Sequence, residues 1–278
     1  MKTARVAWAG AVHNARPHAA GLQLANGTVL REEQVVWLPP FEAGTIIALG
    51  LNYADHVKEL ARELTLSTPR PAPPAAPRGG SGKVAEPHLP DTAKDEPLVF
   101  LKTAGALVGH RGHTVRPAGV AFMHYECELA VVIGHRARRV KARDALAHVA
   151  GYAVCNDYAV RDHLENWYRP NLRAKNRDAA TALGPWLVDA AAVPDPQALA
   201  LRTRVNGQLR QQGHTSNMVH SVAELIEYLS EFMTLMPGDV ILTGTPEGVV
   251  NVDVGDVVEC EIDGIGCLVN HVVTEPAA

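Results

Sequence analysis

Short runs in which apolar and polar positions alternate, rather than long stretches of helical periodicity, dominate this chain. Near the start, 6–9 is apolar, 21–24 alternates, Asn26-Gly27 is a hairpin turn signal, and 35–38 stops at Pro39-Pro40. A buried strand is predicted over 45–50. A helix follows from Asn52 to Leu64, with Asp55 early and Leu60 and Leu64 four apart. From residue 97 onward strands are predicted over 98–101, 126–134, 151–156, 186–188, 199–206, 239–243, 256–262 and 267–273. Helices interrupt them over about 142–150 and 221–235, the second stopped by Pro237-Gly238. Many short strands and few helices imply an α+β, mainly β fold, a large β-roll or barrel with helices on its flanks. Residues 1–41 read as a small N-terminal β subdomain and 42–278 as the main domain. Residues 67–90 hold seven prolines and a Gly-Gly-Ser-Gly run, a composition unable to build a core, and are predicted to be a flexible surface insertion.

Of the 278 residues, 47% are hydrophobic and 20% charged, enough to bury a sizeable core. The net charge of −4 argues against a polyanion ligand, so no nucleic-acid partner is expected. No apolar run reaches the length of a membrane span, and the opening MKTARVAWAGAV reads as a strand rather than a leader. Cys127, Cys155, Cys260 and Cys267 lie far apart in apolar contexts without a CxxC pair. They fit reduced core thiols, and a cytoplasmic location is expected.

The segment His124-Tyr-Glu-Cys-Glu-Leu-Ala-Val-Val-Ile-Gly134 carries the candidate chemistry. In a strand, Glu126 and Glu128 share a face while Cys127, Leu129, Val131 and Ile133 fill the other. Two like charges on one face of a core strand repel and are costly to desolvate, and a divalent cation removes that cost. The strand over 151–156 ends at Asp157, a natural third ligand. Three carboxylates suit a hard cation, Mg2+ or Mn2+. The plainer reading of the same letters is two glutamates on a solvated sheet face and an aspartate that opens a turn. His110 and His113 lie in a Gly- and Arg-rich loop without ligand partners, so zinc is not expected there.

Asp157 opens a run dense in charge and aromatics, 156–178. Within it Arg161, Arg169 and Arg173 could fork onto carboxylates, and Lys175 is the candidate for chemistry: a lysine beside a cation is pushed toward its neutral form and can act as a base. An ordinary surface charge is the alternative for the lysine, and a structural ion pair for each arginine. In Thr243-Gly-Thr-Pro246 the glycine lets backbone N–H groups approach an anion and Thr245 adds a hydroxyl; a plain turn is the alternative.

In order, LGLNYADHVKEL (49–60), PLVFLK (97–102), HYECELAVVIG (124–134), GYAVCNDYAVRD (151–162), AKNRD (174–178), LGPW (183–186), PGDVILTGTPEGV (237–249) and IDGIGCLVN (262–270) resemble the fumarylacetoacetate hydrolase superfamily. The resemblance covers residues from about 42 on, apart from 67–90. Within it, MHYECELAVVIG and VCNDYAVRDHLENWYRPNLRAKNRD are most similar to the branch that decarboxylates and isomerises unsaturated 2-oxo polycarboxylic acids in 4-hydroxyphenylacetate (homoprotocatechuate) catabolism. It implies a mixed β-roll, a homodimer, a 2-oxo acid substrate, and Mg2+ or Mn2+ on Glu126, Glu128 and Asp157. Lys175 matches the lysine beside the metal, His56 and Glu59 the His–Glu pair of a lid segment, Thr245 the threonine that holds a substrate carboxylate, and Tyr168, loosely, a substrate-contacting aromatic. The run NRDAATALGP departs from the family's usual letters at Ala179 and Ala182. Acylpyruvate hydrolysis, oxaloacetate decarboxylation and non-catalytic dicarboxylate binding are the alternatives on the same fold.

Overall fold

The computed structural model describes residues 1–56, 96–164 and 171–275. The 67–90 insertion and most of the predicted 52–64 helix lie outside the described residues, of which 54–56 begin a helical turn.

The N-terminal strands are β1 (Lys2–Trp8), β2 (Ala11–His18), β3 (Gly21–Leu24), β4 (Val29–Leu30) and β5 (Val36–Leu38). Next come β6 (Ile46–Gly50), β7 (Leu98–Lys102), β8 (Leu107–Val108), β9 (His113–Arg116) and β10 (Met123–His124). The centre is built by β11 (Cys127–Ile133), β12 (Val149–Asp157), β13 (Ala159–Val160) and β14 (Thr181–Asp189). The chain closes with β15 (Ala200–Val205), β16 (Gln208–His214), β17 (Val240–Leu242), β18 (Val257–Ile262) and β19 (Gly266–Thr274). The main sheet runs β4-β3-β2-β1-β14-β12-β11-β17-β6-β7, with β5 on β1 and β8 on β14; a second sheet runs β16-β15-β18-β19-β9. Both are mixed, because β17–β6, β14–β8 and β19–β9 pair in parallel and most others antiparallel. The expected mainly-β architecture with few helices is the one observed.

The predicted apolar face of β11 is found: Cys127, Leu129, Val131 and Ile133 join one core with Val258, Cys260 and Leu268 of the second sheet and Leu225, Ile226 and Leu229 of a helix. The opposite face is buried as well. Ala130 packs with Ala153, Cys155, Leu183, Val240 and Leu242 in a second, smaller core. The plainer reading of a solvated glutamate face therefore does not hold, since β11 lies in the interior on both sides.

Of the two short helices, one is cut back from its predicted span and the other was not predicted. Helix α1 (Ala142–Ala145) gives way to a 3-10 turn over Leu146–His148, because the His148 carbonyl accepts from Gly134 and His135 and Val149 already pairs with Ile133. Helix α2 (Leu172–Lys175) lies within the charge-dense run. The longer α3 (Val222–Phe232) starts at a Ser221–Glu224 capping box and ends when Met233 turns extended. Among the described residues, no helix is long and apolar enough to cross a membrane.

Candidate functional site

The register of the two central strands brings the carboxylates together. Cys127 sits opposite Asn156, and the Asp157 N–H donates to the Glu126 carbonyl at 2.9 Å. Glu126 immediately precedes β11, Glu128 lies within it and Asp157 ends β12; ligand oxygens of all three lie within 4.8 Å of one another. Glu128 is 1% exposed and Asp157 fully buried. Such burial does not suit ordinary surface acids, and the plainer reading of the glutamate pair is set aside.

Three cationic side chains face the three carboxylates. Lys175, delivered by α2, contacts Glu126 and reaches Asp157 Oδ2 at 2.9 Å. Arg161 pairs with Glu126 Oε1 at 2.8 Å and so lies at the cluster rather than on the surface. The third cation, Lys102, was assigned no role from the sequence. It ends β7, its side chain is wholly buried, and its Nζ donates to Asp157 Oδ1 and to the Lys175 carbonyl. Its signal in the sequence was a lysine closing an apolar strand, where burial demands a partner.

The electrostatics follow from this packing. Burial disfavours the Glu126 anion, but Lys175 and Arg161 outweigh it and hold the carboxyl well below the usual range. Glu128 is pushed well above that range, first by burial and then by Asp157 and Glu126. Burial also disfavours the Lys175 ammonium, yet Asp157 and Glu126 raise it above its ordinary value. Here the amine serves as counter-charge to two carboxylates.

At the Thr243–Pro246 segment the Gly244 N–H donates to Glu128 Oε2 at 2.8 Å. Gly244 has φ +84°, a conformation that favours glycine. Asn52, also without an assigned role in the sequence reading, braces this turn. Its Nδ2 donates to the Thr243 carbonyl at 2.9 Å, and its Oδ1 accepts from the His220 N–H at 2.8 Å. Thr245 is buried, and its hydroxyl accepts from Gln211 at 2.9 Å. His56 is buried and contributes to lowering the Glu126 pKa, so it stands within electrostatic reach of the cluster. Arg173 is exposed. Glu59, Tyr168 and Arg169 lie outside the described residues.

The donor set fits a divalent cation. All three ligands are hard carboxylates on paired strands, and the Glu128 anion lacks sufficient compensation among its protein neighbours.

Residues 45–273 match the family described as fumarylacetoacetate (FAA) hydrolase C-terminal. A 4-hydroxyphenylacetate degradation bifunctional isomerase/decarboxylase of Salmonella dublin is 49% identical over 92% of this chain and 52% of its own. The chain thus spans about half the length of the curated relatives it matches first. Among solved structures, a 5-carboxymethyl-2-hydroxymuconate delta-isomerase from Mycobacterium smegmatis aligns over 100% of both chains with a TM-score of 0.76 and 34% identity. A fumarylpyruvate hydrolase from Pseudomonas aeruginosa, in complex with Mn2+ and pyruvate, aligns over 89% of this chain and 95% of its own, with a TM-score of 0.70 and 30% identity.

Proposed function

The chain belongs to the fumarylacetoacetate hydrolase family, and on that footing we propose that it decarboxylates or isomerises, or both, an unsaturated 2-oxo polycarboxylic acid in aromatic (4-hydroxyphenylacetate) catabolism. The observation that carries this reading is the convergence of Glu126, Glu128 and Asp157 beside the buried amine of Lys175. The pathway named for the Salmonella relative supports the substrate class.

Glu126, Glu128 and Asp157 would hold Mg2+ or Mn2+, an ion that when bound supplies Lewis-acid polarisation of the 2-oxo group. The Mn2+ complex of the structural neighbour supports a divalent ion of this kind. Three carboxylates already face Lys102, Lys175 and Arg161, so the loaded site carries net positive charge and suits a substrate bearing several carboxylates. Thr245 and Arg161 are assigned to those carboxylates, with Tyr168 as a further substrate contact. In the reaction, the bond joining a carboxylate to the carbon conjugated with the oxo group breaks. CO2 leaves, and the bonding pair enters the conjugated system as a dienolate. Lys175 donates toward the developing oxyanion, and His56, oriented by Glu59, carries the proton to the distal carbon.

We assign a homodimer and a cytoplasmic location to the same proposal; the four cysteines, none of them bridged, fit a reducing compartment. Light scattering tests the dimer. The activity is tested with a panel of 2-oxo-enoic acids, following CO2 and the ultraviolet absorbance of the dienol. Turnover lost in EDTA and restored by Mg2+ or Mn2+ is expected. Undiminished turnover in EDTA, or in a Glu126→Gln variant, removes the metal from the mechanism. The fumarylpyruvate hydrolase neighbour favours a second reading, C–C bond hydrolysis of an acylpyruvate with His56 as the base. Faster turnover of acetylpyruvate than of a linear unsaturated tricarboxylate would select it.

A further inference from the structure

Gln211 lies on β16, is almost wholly buried, and makes three hydrogen bonds with its amide. Its Nε2 donates to Thr245 Oγ1 at 2.9 Å and to the Pro246 carbonyl at 2.8 Å, while its Oε1 accepts from Thr203 Oγ1 at 2.8 Å. The chemistry fixes which end of the amide faces which way. A carbonyl can only accept, so the nitrogen must face Pro246, and the oxygen is left for the Thr203 hydroxyl. Both amide hydrogens are then committed, one of them to the Thr245 oxygen. A hydroxyl has a single proton. With its oxygen accepting from Gln211, Thr245 is left as a donor, and it sits one residue beyond the Gly244 N–H that contacts Glu128.

We propose that Gln211 is a positioning residue that orients the Thr245 hydroxyl as a hydrogen-bond donor to a carboxylate of the substrate. This rests on the reading that Thr245 contacts that carboxylate. A hydroxyl held in the donor sense favours an anion over a neutral carbonyl-bearing analogue, because a charge-assisted bond is stronger than a neutral one. The Thr203–Gln211–Thr245 relay thus carries orientation from the second sheet to the turn after β17.

The test uses the full-length, Mg2+-loaded protein and oxalate, a stable 2-oxo carboxylate stand-in, with binding read by calorimetry and turnover read as separate KM and kcat. Gln211→Met removes the donor while keeping length. Oxalate affinity is expected to fall about tenfold and KM to rise by a similar factor, with kcat changed less than threefold. Gln211→Glu accepts the Thr245 proton in place of donating to its oxygen, and a larger loss is expected. In a Thr245→Val background, Gln211→Met should add almost nothing. Independent, multiplying losses in that double variant overturn the proposal, as does a kcat fall without a KM rise. If Thr245→Val weakens oxalate binding and Gln211→Met does not, the proposal fails and the Thr245 reading stands. If Thr245→Val has no effect on oxalate, both fail. Should the Gln211 variants not fold, Thr203→Val frees the amide oxygen on an isosteric side chain. A smaller rise in KM is expected there, and an unchanged KM overturns the relay.

Discussion

Two glutamates two positions apart experience opposite fields from the same neighbourhood. Glu126 meets Lys175 and Arg161, whereas Glu128 meets Asp157 and Glu126 and has the Gly244 N–H on one oxygen. Glu128 is therefore a group whose charge serves ligand binding at the expense of the fold. Glu128→Gln keeps the shape and removes a carboxyl whose anion burial, Asp157 and Glu126 disfavour. The metal-free variant is expected to melt a few degrees above the parent, while its Mg2+ affinity drops at least tenfold. A lower melting temperature in that variant would show that the anion is already compensated without an ion. Lys102 presents the reverse case. Lys102→Met strands Asp157 and the Lys175 carbonyl in the interior, and a loss of about 3–5 kcal/mol in urea unfolding is expected. A loss below about 1 kcal/mol would show that Lys175 alone satisfies Asp157.

At the scale of elements, the turn after β17 ties the metal cluster to backbone geometry. A Cβ on Gly244 would stand 3.2 Å from the Asn52 Cβ, and the residue holds φ +84°. Gly244→Ala is expected to cost about 1–2 kcal/mol and to weaken Mg2+ binding by pulling the N–H away from Glu128. Thermal unfolding and metal titration on the same sample check both halves; unchanged metal affinity would mean that the Glu128 contact is incidental. What the sequence discloses follows the same division between apolar pattern and polar contact. β11 and its carboxylates were legible, because Cys127, Leu129, Val131 and Ile133 fall at every second position with Glu126 and Glu128 in the opposite phase. Burial of the second face showed only as the unbroken apolar run over 129–133, in which Ala130 and Val132 fill the positions between. β16 was invisible: QLRQQGH has no apolar alternation, and the buried side chain at its centre is Gln211, held by hydrogen bonds instead. Its turn, Asn206-Gly207, with φ +51° and +76°, is the cue that would have found it. Lys102 was readable only as a charge at the end of an apolar strand, and no local pattern names its partner 55 positions away.

Across the whole molecule, the N-terminal strands surround a small core of their own, Val6, Leu22, Leu24, Leu30 and Trp37 among them, yet β1 hydrogen-bonds to β14 and so continues the main sheet. His110 clasps this layer to the second sheet. Its ring meets Trp37 edge-on with centroids 4.8 Å apart, and its Nδ1 accepts from the Val269 N–H at 3.0 Å. That bond requires a neutral ring, and burial, helped by Arg111 and His271, lowers the His110 pKa from its ordinary 6.5 to about 3. In the unfolded chain the imidazole takes up a proton as pH falls through 6.5, whereas in the folded protein it stays neutral until about 3. The stability it contributes is therefore complete above pH 6.5 and drains away between there and about 3. His110→Phe preserves the contact with Trp37 and removes the titration. Between pH 7.5 and 4.5 the parent is expected to lose about 2 kcal/mol more than the variant, read from urea unfolding at both pH values. Equal losses in the two proteins would mean that His110 is already charged in the folded state, or that the N-terminal strands are joined to the second sheet by other contacts.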